Sequence, residues 1–187
     1  MKPKNFIKLI QTKRLCLKPM PKTKTMAGKV FSIISTQRDH LKFMGFANMK
    51  TAEQVYKEFI STSADLWKSK TVANYGIFLR SSNVFIGCIS VDEISWDSAN
   101  LGIGWWLDKN YSGKGYASEA AQAVINTFLS FGFHKLYVNI SDKNKQSMKL
   151  AKKLGFKKEG LLHDHWFNPN TQKYENSVVY GLINPNN

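Results

Sequence analysis

The apolar residues Ala117, Ala120, Ala121, Val124, Ile125, Phe128 and Leu129 fall at positions i, i+3, i+4, i+7, i+8, i+11 and i+12. That spacing predicts a long amphipathic helix from Tyr116 onwards, with an apolar stripe that must lie on another layer. β-type runs stand on either side, Ile103 to Leu107 before it and Leu136 to Ile140 after it, so the layer is a sheet. The rest of the chain adds to the same sheet. Residues 11–20 begin as a strand with Leu15 and Leu17 apolar and stop at Pro19. Tyr75 to Leu79 and Val84 to Val91 are strands joined by the turn-type stretch Arg80-Ser-Ser-Asn83. The run Val84-Phe-Ile-Gly-Cys-Ile89 has almost no polar alternation, which predicts burial on both faces. Residues 22–69 read as mostly helical, with Thr51 as an N-cap and Val55, Phe59 and Ile60 on one face. A helix over about Gln146–Leu154 ends at Gly155, and two strands follow near Phe156–Gly160 and Asn176–Ile183. Hairpins first, then strands alternating with helices, predict an α/β sheet of mixed direction.

No internal repeat or Pro/Gly/Ser linker divides the 187 residues, so positions 1–187 are expected to form one domain. No apolar run approaches 18 residues, which excludes a membrane-spanning helix. The stretch Met1-Lys-Pro-Lys-Asn5 is charged but has no apolar segment of signal-peptide length behind it. Two cysteines, Cys16 and Cys88, are too few for a disulfide scaffold or a cysteine-based metal site, and a reducing, cytoplasmic setting is expected. The charge is unusual: 27 Lys+Arg against 13 Asp+Glu, formally +14. Such a surface attracts polyanions, whether nucleic acid, ribosome surface or a phosphorylated cofactor. Only Arg14, Arg38 and Arg80 are arginines, however, and the lysines are dispersed, as a general lysine bias would also leave them. The charge argues against a site that gathers polycations.

The stretch Tyr111-Ser-Gly-Lys-Gly-Tyr-Ala117 lies between a strand and the long helix. Two glycines one residue apart let backbone N–H groups converge, and the helix adds its unpaired amides and the positive end of its dipole. That arrangement binds phosphate; a plain strand-to-helix turn is the alternative. A Walker loop needs a glycine where Asp108 stands and Ser or Thr where Gly115 stands, and a dinucleotide fingerprint needs a third glycine where Ser118 stands. Both are rejected.

Four ordered motifs then come together: Gly104-Trp-Trp-Leu-Asp108, Ser112-Gly-Lys-Gly-Tyr-Ala-Ser-Glu-Ala120, Asn144-Lys-Gln-Ser147 and Leu154-Gly-Phe-Lys-Lys-Glu-Gly160. With them the chain resembles the acetyl-CoA-dependent N-acetyltransferase superfamily (GNAT), and within it the branch that acetylates alanine and serine α-amines of ribosomal proteins. Thr12-Lys-Arg-Leu-Cys-Leu-Lys-Pro19 is similar to that branch's opening strand. The resemblance implies a mostly antiparallel central sheet with a splayed strand pair, helices on both faces, and a cofactor-binding half at about residues 100–160. It implies that Trp105, Trp106 and Leu107 bond the pantetheine arm through their backbone. Ser112, Gly113, Lys114, Gly115, Tyr116 and Ala117 would hold the pyrophosphate, and Asn144 would contact the pantetheine end. Ser147 would protonate the leaving thiolate. Read without the family, Asn144 and Ser147 are good helix-start residues.

The chain departs from the family pattern where a base is concerned. Gly102 stands where the family often has glutamate, and Trp166 where some members carry another. No carboxylate carries over, and Asp92, Glu93, Asp164, His163 and His165 are candidates by sequence proximity alone. His163 and His165, alternating on a strand, would share one side, and without a third ligand they make no metal site. Deprotonating an α-amine at neutral pH costs about 1 kcal/mol, against about 4.6 kcal/mol for a lysine, from pKa values near 7.7–8.0 and 10.4. A missing base therefore favours an α-amine.

The expected activity is direct transfer of acetyl from acetyl-CoA to a primary amine, foremost a protein N-terminal α-amine of the ribosomal-protein type. No metal is called for. A small-molecule amine acceptor (antibiotic, polyamine or amino acid) and a silent CoA-binding or RNA-associated module stay open beside it. A ribosomal-protein N-terminus is the expected partner, nucleic acid enters only with the ribosome, no membrane is involved, and the chain is monomer or homodimer.

Overall fold

The computed structural model describes residues 5–185, so the reading of Met1–Lys4 lies outside the described residues. Eight strands form one sheet in the order β1-β2-β3-β4-β5-β6-β8-β7. They are β1 (Ile10–Gln11), β2 (Leu15–Pro19), β3 (Ala73–Leu79), β4 (Phe85–Ser95), β5 (Asn100–Leu107), β6 (Lys135–Ser141), β7 (Lys157–Asn168) and β8 (Lys173–Ile183). Every pairing is antiparallel except β5 with β6. That parallel pair is joined only over Asn100–Gly102 and Lys135–Tyr137, after which the two strands part. A wedge-shaped gap therefore opens between Ile103–Leu107 and Val138–Ser141. This is the splayed pair.

Helices cover both faces. On one side α4 (Tyr116–Ser130) presses the buried Ala120, Ala121, Val124, Ile125 and Phe128 onto the sheet, and α5 (Lys145–Lys153) adds Ala151. On the other, α1 (Lys24–Thr36) is capped by the Thr23 hydroxyl, which accepts the Met26 amide, and buries Val30 and Ile34. Thr51 caps α2 (Ala52–Gln54) in the same way. A π-helical turn, Val55–Ser61, then leads into α3 (Thr62–Ser69). Its five-residue repeat puts Val55 and Ile60 into one core, while Phe59 is only partly buried.

Three local readings change. Val84 is exposed because it belongs to the turn set by Asn83 at φ 54°, so the doubly buried run begins at Phe85. The last two strands form a much longer hairpin than 156–160 and 176–183. Most of β7 faces solvent, so it carries no apolar alternation to betray its length. Finally, the β7–β8 ladder is broken between Leu162 and Trp166, with Asp164 at φ 45°. The strict alternation expected of His163 and His165 fails there.

Candidate active site

The gap between β5 and β6 exposes backbone. Asp108 N–H donates to Ile86 O at 2.8 Å, which turns Trp106, two residues back, toward β4 as well. The backbone groups of Ile103, Trp105 and Leu107 therefore face the gap. The Leu107 carbonyl is already taken, since His40 Nε2 donates to it at 3.0 Å. Of the three strand residues expected to bond an extended ligand arm, Trp105 is the one whose backbone is aimed and unoccupied by these neighbours. Gln37 completes the brace: its amide donates to Asp108 at 2.8 Å and its carbonyl accepts Lys109 N–H at 2.7 Å.

Beyond β5 the chain turns through Ser112 to Ala117. Gly113 and Gly115 sit at φ 76° and 80°, a region costly for any residue with a Cβ. Gly115 caps α4 without a side-chain bond, so the first amides of the helix point outward unsatisfied. A Cβ on Gly113 would meet nothing within 4 Å, so the space over this loop is open for a ligand. An anion fits it.

Arg14, from the turn between β1 and β2, holds the loop from behind. Its guanidinium donates to Lys114 O at 3.0 Å, lies 4.3 Å from the Tyr116 ring centre, and pairs with Glu119 at 2.7 Å. Burial alone would push the Glu119 carboxyl up. Hydrogen bonds from the Thr12 hydroxyl and from Arg14, with the Arg14 charge, outweigh that and hold it below its ordinary value.

A cavity of about 370 Å³ runs between this loop and α5. It gathers Trp105, Trp106 and Leu107, then Ser112, Gly113, Gly115, Tyr116 and Ala117, and then Asn144 and Ser147. Lys114 is not on this wall. Its ammonium folds back to donate to Asn110 O at 3.0 Å, which leaves the residue its backbone for any ligand. Lys149 and Lys153 of α5 put two cations on the same cavity. Asn144 is the N-cap of α5, its Oδ1 accepting Ser147 N–H at 3.2 Å.

A second cavity, of about 200 Å³, lies on the β6 side of the gap. Asp92, Glu93, Tyr137 and Ser147 line it. Phe43, Met44, Trp105, Asn144 and Ser147 line both cavities, so the two meet at the end of β5 and the start of α5. Burial raises the Asp92 carboxyl, the Ser90 hydroxyl partly offsets this by donating at 2.8 Å, and the Glu93 charge adds to the rise. Burial, then the bond to Glu93, raise the Tyr137 hydroxyl too. Asp164, His163 and His165 line neither cavity. Cys88 is buried in the core that α1 and the π-helical turn cover, and its thiol is pushed up by that burial, which makes it a poor nucleophile. Among the described residues no cluster of His, Cys, Asp or Glu is placed to hold a metal ion.

Sequence motifs offered no role for Arg14 as a brace, for Lys149 and Lys153, or for Phe43 and Met44. Arg14 and Glu119 stand within quoted motifs, but only the fold shows that they meet. Phe43 and Met44 owe their place to a buried chain of bonds. Ser141 and Asn168 donate to Glu175 at 2.7 and 3.0 Å, and Asn168 donates again to Lys42 O at 3.1 Å. The β7–β8 hairpin thus ties the loop before Phe43 to the strand that leads into α5.

Known proteins share this fold. The chain is 27% identical over 178 residues to the uncharacterized N-acetyltransferase YoaA of Bacillus subtilis (strain 168), covering 95% of this chain and 97% of that one. The ribosomal-protein-serine acetyltransferase of Escherichia coli (strain K12) is 35% identical over 78 residues, 41% of this chain and 44% of the relative. Among solved structures, the ribosomal L7/L12 α-N-protein acetyltransferase RimL in complex with coenzyme A superposes with a TM-score of 0.83. It is 19% identical, with 94% of this chain and 97% of that one covered. The sequence also matches the acetyltransferase (GNAT) domain family across residues 14–157. With that match and the fold and groove described above, the chain belongs to the GNAT family of N-acetyltransferases.

Proposed function

We propose that this acyltransferase moves acetyl from acetyl-CoA to the α-amine of a protein N-terminus, of the ribosomal-protein type, inside the cytoplasm. The observation that carries the reading is the meeting of the two cavities at Trp105, Asn144 and Ser147. One cavity has outward amides and two lysines for a pyrophosphate-bearing arm; the other has carboxylates for an ammonium. A thioester at their junction is reached by cofactor from one side and by amine from the other.

The residues divide the work. The loop amides from Ser112 to Ala117 hold the diphosphate, and Trp105 backbone orients the pantetheine arm in the gap. The amine attacks the carbonyl carbon directly, and the Ser147 hydroxyl supplies a proton to the departing sulfur. The α-amine is favoured over lysine because its neutral form is about 3.6 kcal/mol cheaper at neutral pH, from pKa values near 7.7–8.0 and 10.4. The similarity to ribosomal-protein acetyltransferases supports the same acceptor.

Thiol release from acetyl-CoA, followed across peptides with free N-terminal serine or alanine, N-terminally blocked peptides and spermidine, tests the proposal. Release with the free-N-terminus peptides is expected. Release with spermidine alone would move the acceptor to small amines, and coenzyme A binding without release would make the chain a silent binding module.

A further inference from the structure

We propose that Asp92 is the base that accepts the acceptor amine's proton, its carboxylate occupying the space that a side chain at position 102 would fill. The inference deepens the amine-acetylation reading and rests on it.

Asp92 of β4 and Gly102 of β5 are direct partners in the ladder. A Cβ built on Gly102 would lie 2.5 Å from Asp92 Oδ1 and 3.6 Å from the Tyr137 ring. Backbone conformation does not demand glycine at 102, for its φ is not among the positive ones. Space does. With no side chain at 102, the Asp92 carboxylate can stand across the strand, over the last rung that joins β5 to β6. Its two oxygens are differently employed: Oδ2 accepts the Ser90 hydroxyl at 2.8 Å, while Oδ1 is turned to the Gly102 hollow.

The backbone is built around this placement. Ladder register shifts between Asp92 and Ser95, and Glu93 sits at φ 46°, a strained value for a residue with a side chain. Lining the same cavity as Asp92 are Glu93 from its own strand, Tyr137 from β6, and the neutral Asn144 and Ser147 at the start of α5. Tyr137 donates its hydroxyl to Glu93, which engages that carboxylate. No lysine or arginine is among the described residues lining this cavity. In a chain of net charge +14, it is a local site for an ammonium. Burial also raises the Asp92 carboxyl, which makes its anion a better base.

The step balances. Asp92 Oδ1 takes one proton from the incoming ammonium. The freed lone pair forms the C–N bond, the tetrahedral adduct expels the thiolate as the C–S bond breaks, and the second amine proton passes through the Ser147 hydroxyl to sulfur. Products are the acetylated amine and coenzyme A thiol, and Asp92 then returns its proton to water. A carboxylate remains a far weaker base than a lysine amine, whose pKa is about 10.4, and is closer to an α-amine at about 7.7–8.0. Such a base suits the proposed acceptor.

The test uses acetyl-CoA and a peptide with a free N-terminal serine. Asp92→Asn should lower kcat/KM for the peptide by about 10²-fold or more, the usual contribution of a positioned base. Acetyl-CoA binding by calorimetry should stay within about twofold, since the diphosphate contacts lie elsewhere. Wild-type kcat/KM should rise with pH as Asp92 deprotonates, and that limb should vanish in Asp92→Asn. The relocation variant, Asp92→Gly with Gly102→Asp, puts a carboxylate back from the facing strand. It should regain at least tenfold over Asp92→Gly alone, which a merely structural aspartate would not explain. Asp92→Asn or, if that variant does not fold, Asp92→Ala with kcat/KM within threefold of wild type and the same pH limb would overturn the proposal. A wild-type enzyme that acetylates no amine would overturn the functional reading, and the base with it.

Discussion

Ser147 and Asn144 share one hydrogen bond but not one task. Asn144 Oδ1 caps α5, so the stabilising part of the pair belongs to Asn144, and its loss would cost about 1 kcal/mol. Ser147→Ala leaves that cap in place. It should lower kcat by about 10²-fold with little change in melting temperature, whereas normal turnover would remove the hydroxyl from the proton path. Measuring kcat and melting temperature on the same variant decides it. A glycine in the loop gives a second residue-level expectation. At φ 76° with open space above it, Gly113→Ala adds strain of about 1–2 kcal/mol and puts a methyl group into the cradle. Coenzyme A affinity, read by calorimetry on the folded variant, should fall at least tenfold; an unchanged Kd would mean no phosphate lies there. The turn made by Gly113 and Gly115 was legible in the sequence because it is local, two glycines beside a helix start. Asp92 and Gly102 were each singled out in the sequence, but not as partners, because their relation exists only in the β4–β5 register.

Elements bring the site together through contacts that are weak one by one. The Arg14–Glu119 pair is partly exposed, with side-chain exposures of 41% and 20%, and an ion pair of that kind is worth at most about 1 kcal/mol. Its use is placement, joining the β1–β2 turn to the first turn of α4 behind the loop. The sign of its pH dependence follows from the lowered Glu119 carboxyl. The stabilisation is present above the unfolded-state pKa and is lost as pH falls through the lower folded-state value. Thermal melts of wild type and Glu119→Gln should therefore differ at pH 7 and converge on acidification below the ordinary glutamate range. A gap that stays constant into acid would show that Glu119 acts through packing instead. The long helix α4, the Thr51 cap and the β5–β6 strands were readable from periodicity and caps, whereas α1 with its Thr23 cap lay unseparated inside a broadly helical stretch. The β7–β8 hairpin was readable over 156–160 and 176–183 but not through the turn-side part between them. There β7 faces solvent, and no pattern records a strand that buries so little.

Across the whole molecule, charge and topology point the same way. A net charge of +14 favours approach of a polyanionic cofactor, while the carboxylate-lined cavity behind the gap favours an ammonium. No helix among the described residues is long and apolar enough to cross a membrane. The sheet order, which neither composition nor periodicity contains, is what sets these two regions on opposite sides of one opening between β5 and β6. The family's motifs, read in order, made that opening and its loop expected; the side proposed for the acceptor, with Phe43, Met44 and the Asp92–Gly102 pair, had no motif to announce it. The most direct measurement is therefore on the acceptor. A peptide carrying both a free N-terminal serine and an internal lysine is incubated with enzyme and acetyl-CoA, and the acetylated nitrogen is located by mass spectrometry. The account predicts acetyl on the α-amine, with one thiol released per acetyl gained. Acetyl on the lysine alone, or thiol released with neither amine modified, would contradict it.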